Sequence, residues 1–445
     1  MIKKYMNLLE IVDFFKYNSR LKQNISYQSL GFIVKIITQL FFPVLMIITW
    51  GADTFGVWII ISTIVATIYG INFNCTEVVR LEMTTAFTNK KNEMLKKLYS
   101  STYYLQSINI IIFTILILII TIFFLDLTKF KNDSLNLSSL QYSYIFIVIA
   151  YYLELITYYF YPSLNYKGYT KIWVNQNSLY QVYSKILILT AFFLKDFLYL
   201  GLLFLLSNLI RLVLIYYFHN KSKQNLIFSK KYFDKILVKE LLLKSLSYSL
   251  EKLNYLIRQN GLILIIGKFF SPTVVTLVNT ARTLFYFLPI NFFDVLIHAS
   301  IIEFSKLKRK NLVKNILILH NKFLYIITIM ALIYLVISNL FGKFIYELWI
   351  YDVSININHF LILFISVDAV IISFLNLLTS PFKSFNNFLF LSKIDFIFTV
   401  CSLFIALVLG YYQSNINEIL FLILVIHSLL FLFIKIKLKS FLNKI

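Results

Sequence analysis

The chain has 445 residues, 59% of them hydrophobic, 18% aromatic and only 14% charged, with a mean hydropathy of +0.78. A soluble domain carries about 25% charged residues, so this composition excludes an ordinary globular enzyme. The formal net charge of +22 is scattered over loops that flank apolar stretches, a pattern of membrane orientation and anionic headgroups and not of nucleic-acid binding.

In chain order, Met1 to Asn18 reads as a short amphipathic helix on the cytoplasmic surface or as a frayed leader. Glu10, Asp13 and Lys16 interrupt any signal-peptide core there. About twelve apolar segments of about 17–29 residues follow, and about 20 such residues cross a hydrocarbon core. The first two lie at about 25–50 and about 56–82, joined by a tight turn, Gly51-Ala-Asp-Thr-Phe-Gly56. Spans three and four, at about 100–125 and about 139–161, flank a polar loop from Asp126 to Ser138. Pro162 stops the fourth, because it brings no N–H to a helix. Spans five and six, at about 172–194 and about 197–218, meet at Lys195-Asp196. A basic stretch from His219 to Lys244 then divides the chain. Spans seven to twelve lie at about 241–267, about 274–302, about 317–338, about 357–380, about 390–412 and about 418–434, with Asn339 to Asn356 as the longest outer loop.

Of the 42 Lys and Arg, about 30 fall in alternate loops assigned to the inside and about 5 in the others, which puts both ends in the cytoplasm. The expected fold class is an all-α multi-pass membrane protein, with about twelve transmembrane helices in two six-helix lobes, N-in and C-in. The expected domains are an amphipathic N-terminus (1–24), an N-lobe (25–218), a basic cytoplasmic linker (219–240), a C-lobe (241–434) and a basic tail (435–445). Each half opens with a long helix carrying a basic residue, a short glycine-bounded turn and a second long helix. Such a repeat would be parallel, about an axis along the membrane normal.

A charge at mid-span costs roughly 2.5–3.5 kcal/mol on insertion scales, so such residues face a cavity or a partner. Lys35, Arg258 and Arg282 lie at such depths. One reading makes them a cationic lumen for a phosphate or pyrophosphate headgroup, which the planar Arg fork grips with two donors. The other has them snorkel, or pair with an acid across helices. Glu154 and Lys185 read as a buried ion pair, and Arg211 as near enough to the inner surface to snorkel. Glu77 and Arg80, one turn apart, make either a gate or a helix-end pair. Asp294 and His298 share a helix face, and Asp368 lies near the centre of span ten. These three are candidate proton-coupling groups or structural hydrogen bonders. Pro43 and Pro289 fall inside spans one and eight, where each frees a carbonyl and permits a bend. Cys75 and Cys401 lack any metal-ligand spacing. The sequence has no P-loop, HExxH or GxSxG element, so no ATPase or hydrolase chemistry, metal or cofactor is expected.

Trp50-Gly-Ala-Asp-Thr-Phe-Gly-Val-Trp58 before an apolar helix resembles the start of polysaccharide-transport proteins, which commonly read Leu-Gly-x-x-x-Phe-Gly-x-Trp/Tyr there. Ile266-Gly-Lys-Phe-Phe-Ser-Pro-Thr-Val-Val-Thr-Leu-Val-Asn-Thr-Ala-Arg282 looks like their second-half signature, and Leu348-Trp349-Ile350 like their Leu-Trp-Leu/Ile. The chain is thereby similar to the Wzx-type O-antigen flippases of the multidrug/oligosaccharidyl-lipid/polysaccharide exporter superfamily. That resemblance implies twelve helices in two lobes around a cationic cavity lined by spans one, two, seven and eight. It implies alternating access that moves an undecaprenyl-pyrophosphate-linked oligosaccharide to the periplasmic leaflet of the bacterial inner membrane, for O-antigen (lipopolysaccharide) or capsule synthesis. It puts Lys35, Arg258 and Arg282 on cavity helices. The implied partners are the lipid-linked substrate, membrane lipids, a polysaccharide polymerase and a chain-length regulator, with a monomer as the default state. The chain departs from the pattern at Gln259-Asn260, where an acid is common, and at Gly70-Ile-Asn-Phe-Asn74, where an acid-Gly pair is common. Two rival readings stand beside this one: a small-molecule or drug exporter of the same superfamily, and an O-antigen polymerase or ligase, which usually presents a large outer loop.

Overall fold

The computed structural model of the protein describes residues 19–71, 75–123, 136–166, 171–194, 196–221, 228–309, 313–351, 356–384 and 389–442. The N-terminal stretch Met1 to Asn18 lies outside them. The described residues form helices and no strand: α1 (Ser19–Trp50), α2 (Ala52–Gly70), α3 (Cys75–Thr88), α4 (Asn92–Phe123), α5 (Leu137–Tyr159), α6 (Tyr161–Asn165), α7 (Lys171–Leu194) and α8 (Phe197–Lys221). After a short 3-10 turn come α9 (Lys235–Phe269), α10 (Pro272–Arg282), a π turn (Thr283–Phe287), α11 (Leu288–Arg309), α12 (Val313–Trp349), α13 (His359–Ser384), α14 (Leu389–Tyr411) and α15 (Ile416–Leu442). Among the described residues, nine helices are long and apolar enough to cross a membrane. A multi-pass membrane protein follows, because only closed hydrogen-bonding within helices keeps backbone polar groups satisfied in lipid.

Three local features differ from the sequence reading. The six-residue turn around Gly51 is a single residue: Gly51 takes φ 83, and α2 begins at Ala52. Glycine reaches that left-handed region without a Cβ clash, and Asp53 in the first turn suits the positive end of the helix dipole. The long outer loop expected from Asn339 is mostly helix, since α12 runs on to Trp349. Asn339 Nδ2 bonds the Leu335 carbonyl at 2.8 Å, and Lys343 pairs with Glu347 one turn on at 3.7 Å. Polar side chains at that spacing support a helix beyond its apolar part. Finally, Pro162 sits in the first turn of the short helix α6 just after α5 ends at Tyr159, where its missing N–H has no helical partner to lose.

The chain forms two compact units, Met1–Gln39 with Asn72–Leu246, and Leu40–Ile71 with Ser247–Ile445. Leu40–Ile71, the end of α1 with all of α2, belongs to the second unit, whereas the sequence places it in the first half. The reason is the packing of α2 along α10. A Cβ at Gly56 would meet the Pro272 carbonyl group, one at Gly267 would lie 2.8 Å from Ile60, and one at Gly70 would strike Leu256. Glycine at all three positions lets the helices approach this closely. Asp53 Oδ1 accepts from the Thr273 amide at 3.1 Å and from its hydroxyl, while Thr276 Oγ1 donates to the Ala52 carbonyl at 2.7 Å. The N-cap of α10, Ser271, makes no side-chain capping bond, so Asp53 caps this helix from α2. Trp349 closes the same unit by donating from Nε1 to the Leu40 carbonyl at 2.9 Å.

Within the eighth span the π turn has a specific cause. Pro289 has no N–H, so the Phe285 carbonyl four residues earlier loses its helical donor. The Tyr334 hydroxyl supplies one at 2.5 Å. One widened turn followed by a proline is a common way to bend a helix without orphaning its backbone.

Candidate functional site

The second unit holds a buried polar site built from five segments. Arg258 lies eleven residues before the end of α9 at Phe269, Arg282 ten after the start of α10 at Pro272, Asp368 nine after His359 and His427 eleven after Ile416. At 1.5 Å per residue these offsets amount to about 15 Å, half the thickness of a hydrocarbon core. Equal depth on neighbouring helices brings the four side chains together around a pocket, with Tyr286, Ser402, Leu262, Phe364 and Leu420 among its other lining residues. The cavity between them has a volume of about 20 Å³, enough for a water molecule.

Each charge has a partner. The Arg258 guanidinium donates to Asp395 and to Thr399 Oγ1, the latter at 3.3 Å, and Asn254 Nδ2 also reaches Asp395 at 3.3 Å. Arg282 donates to the backbone carbonyls of Gln259 at 2.6 Å and Arg258 at 3.2 Å. Its guanidinium lies 4.9 Å from the Tyr286 ring centre and 5.2 Å from that of Phe287, a position favoured by the negative face of an aromatic ring. Arg282 is only 4% exposed. Asp368 Oδ1 lies 2.6 Å from Nδ1 of His427. Two polar atoms of the cluster, Arg258 Nε and His427 Nε2, are buried without a hydrogen-bond partner among the described residues.

The formal charges therefore balance. Two arginines share the site with two carboxylates, Asp368 and Asp395. A cationic lumen was one sequence reading of Arg258 and Arg282, and pairing with an acid across helices was the other. Arg258 follows the second, through an aspartate on α14, while Arg282 is held by carbonyls of α9.

The remaining expectations distribute as follows. The side chains of Lys35, Glu77 and His298 lie outside the described residues. Arg80 sits on α3, part-buried. Asp294 accepts a hydrogen bond from Asn376 Nδ2 at 3.2 Å. Glu154 pairs with Arg211 at 3.0 Å, where Lys185 was the expected partner. Arg211 does not snorkel: it is 4% exposed, donates to Asn177 Oδ1 at 2.7 Å and stacks 4.6 Å from the Tyr180 ring centre. Its side chain is too well supplied with acceptors and rings inside the first unit to reach for the surface. Sequence reading passed over Asp395 and His427. Asp395 lies six residues into α14, and a histidine adds no formal charge to an apolar span. Among the described residues, no group of three His, Cys, Asp or Glu side chains is placed to hold a metal ion.

Solved structures identify the architecture. The chain is similar to a multidrug resistance MATE family transporter of the MOP superfamily in an inward-facing conformation, with a TM-score of 0.65 and 15% identity over 94% of this chain and 95% of that one. The fold is that of MATE-type transporters. An outward-facing structure of a multidrug resistance MATE family transporter matches with a TM-score of 0.57 and 14% identity over 92% and 97%. A MOP superfamily transporter from Pyrococcus furiosus, whose binding pocket is described as having reverse polarity, matches at 0.51 and 15% over 95% and 94%. No protein-family model matches the sequence, and no curated protein does. The all-helical fold in two lobes, expected from hydropathy and loop charge, is thus shared with these transporters, and the fold alone does not fix a substrate.

Proposed function

We propose that this protein is a flippase that carries an undecaprenyl-pyrophosphate-linked oligosaccharide across the bacterial inner membrane for O-antigen or capsule synthesis, by alternating access. The observation that carries the reading is the meeting of Arg258 and Arg282 in one buried pocket at mid-depth, with a spare donor on Arg258 Nε. Guanidinium groups are suited to diphosphate because they offer paired, fixed donors. We keep the sequence-based assignment of Lys35 to phosphate binding and of Glu77, Arg80, Asp294, His298 and Asp368 to gating or coupling. The membrane fold, the resemblance around Gly51, Gly267 and Trp349, and the basic inner loops support the same reading.

A second reading has its own support. The solved transporters described above are named for multidrug resistance, and the balanced charge and aromatic walls of the pocket also suit an organic cation or neutral drug. The experiment is deletion of the gene in its host. Single unpolymerised repeat units trapped on the cytoplasmic leaflet, with loss of surface glycan, are expected of a flippase. Complementation by the Arg258→Ala/Arg282→Ala double variant is expected to fail. Normal glycan together with a gain in drug sensitivity on deletion would transfer the assignment to drug export, and full complementation by the double variant would displace the phosphate site.

A further inference from the structure

In the first unit, residues 228–234 are built onto α4 as a strap that leads into α9. The 3-10 turn Lys230–Tyr232 is capped by the Ser229 hydroxyl, and the Ser229 amide donates to Ser100 Oγ on α4 at 3.5 Å. Phe228 lies 4.4 Å from the Tyr103 ring centre, and Phe233 lies 4.0 Å from that of Tyr104. Lys96 Nζ sits 5.5 Å over the Tyr232 ring. Asp234 then caps α9, accepting from the amides of Ile236 at 3.0 Å and Leu237 at 3.1 Å. Ring contacts and caps together hold such a short segment in one place.

Two helices of the same unit set the height of the strap. From Phe123, at the outer end of α4, back to Tyr103 the helix rises about 30 Å, one hydrocarbon thickness. α5 makes its crossing in 23 residues, and Tyr159 at its inner end meets the Tyr103 ring at 5.9 Å. The strap rests on these tyrosines and so lies at the level of the inner headgroups, where aromatic belts form.

At that height the exposed charge is of one sign. Lys230, Lys231, Lys235 and Lys239 are exposed, and none of them joins an ion pair among the described residues. Asp234 is engaged in its cap, and the next acid, Glu240, pairs with Lys244 at 2.7 Å. Ile236, between Lys235 and Lys239, is 82% exposed. Cationic and aliphatic side chains exposed side by side fit the boundary of headgroups and acyl chains, where lysine meets phosphate and the aliphatic group enters hydrocarbon.

We propose that this strap and the first turns of α9 form a binding site for anionic phospholipid. Lys230, Lys231, Lys235 and Lys239 hold phosphates of the inner leaflet, and Ile236 seats between the acyl chains. The first unit is thereby fastened to the membrane at the start of α9. None of these residues belongs to the pocket lined by Arg258, and the site does not depend on which substrate is transported.

The test uses the full chain in phosphatidylcholine nanodiscs, with Cys75→Ser and Cys401→Ser removing the native thiols and a fluorophore on Ile236→Cys. Trace spin-labelled phosphatidylglycerol or phosphatidylcholine reports, by quenching, which lipid reaches the strap. A lysine near an anionic surface favours it by roughly fivefold, so a preference of at least that size for phosphatidylglycerol is expected. It should fall toward one when all four lysines are changed to Gln, persist when they are changed to Arg, and weaken in about 0.5 M salt. Changing the tail lysines Lys435 and Lys437 to Gln should leave it unaltered. Melting temperature confirms that each variant is folded, and the pair Lys230→Gln/Lys231→Gln serves where the fourfold variant is not. Quenching without preference, a preference indifferent to the four lysines, or a fluorophore that neither lipid quenches overturns the site. Displacement of the lipid by millimolar glycerol 3-phosphate also overturns it, since the lysines would then serve free phosphates and not a membrane.

Discussion

Asp53 on α2 caps the N-terminus of α10 through Thr273, a residue 220 positions away. The aspartate of the Gly-Ala-Asp-Thr-Phe-Gly stretch therefore acts as a clasp between two helices and not as part of a turn. Losing such a cap costs about 0.5–2 kcal/mol. Asp53→Ala is expected to lower the melting temperature of the detergent-solubilised protein, whereas Asp53→Asn, which keeps a capping oxygen, retains most of it. Equal losses in the two variants would show that charge, and not the hydrogen bond, is what Thr273 needs.

Gly56 sets the spacing of the same clasp. An added Cβ meets the backbone of Pro272, which has no side-chain freedom with which to move aside. Overpacking of this kind costs about 1–3 kcal/mol. Gly56→Ala should reduce folded yield and thermal stability, despite the gain in helix propensity, and Gly56→Val should do so more strongly. Retained stability in Gly56→Ala would mean that α2 and α10 can separate without penalty.

Tyr334 and Pro289 are expected to be energetically coupled. Tyr334→Phe leaves the Phe285 carbonyl without its donor, at about 1–3 kcal/mol. In a Pro289→Ala background the restored backbone N–H competes for that carbonyl, so the same substitution should cost much less. A double-mutant cycle on thermal or denaturant unfolding measures the difference, and additive effects would show that the hydroxyl serves another purpose.

In the first unit, single and double changes are expected to differ. Arg211→Met alone strands Glu154 in the interior, and breaking a buried pair costs about 3–5 kcal/mol. Arg211→Met combined with Glu154→Leu removes both charges and is expected to recover most of the stability. Failure of the double variant to recover would point to Asn177 and Tyr180 as the partners that matter.

The course of the helices was legible because membrane insertion needs long apolar runs, and these are visible one residue at a time. Helix ends were less so: Asn339 to Trp349 looked like loop because polarity rises there, yet its i,i+4 spacing keeps it helical. The depth of Arg258, Arg282 and Asp368 was also readable by counting from span ends. Their partners were not. Arg258 meets Asp395 across 137 residues and His427 meets Asp368 across 59, and which helices adjoin is a property of tertiary packing. Glu154 shows the same limit, since depth alone offered Lys185 while packing chose Arg211.

The membership of α2 in the second unit sets an order on biosynthesis. Asp53 leaves the ribosome 220 residues ahead of Thr273, a delay of roughly 10–40 s at ordinary translation rates. For most of that interval Gly56 and Gly70, the α2 glycines that receive Pro272 and Leu256, have only lipid or the translocon for neighbours. A message truncated anywhere upstream of α10 leaves α2 permanently in that state, an unfinished helix pair for membrane quality control to remove.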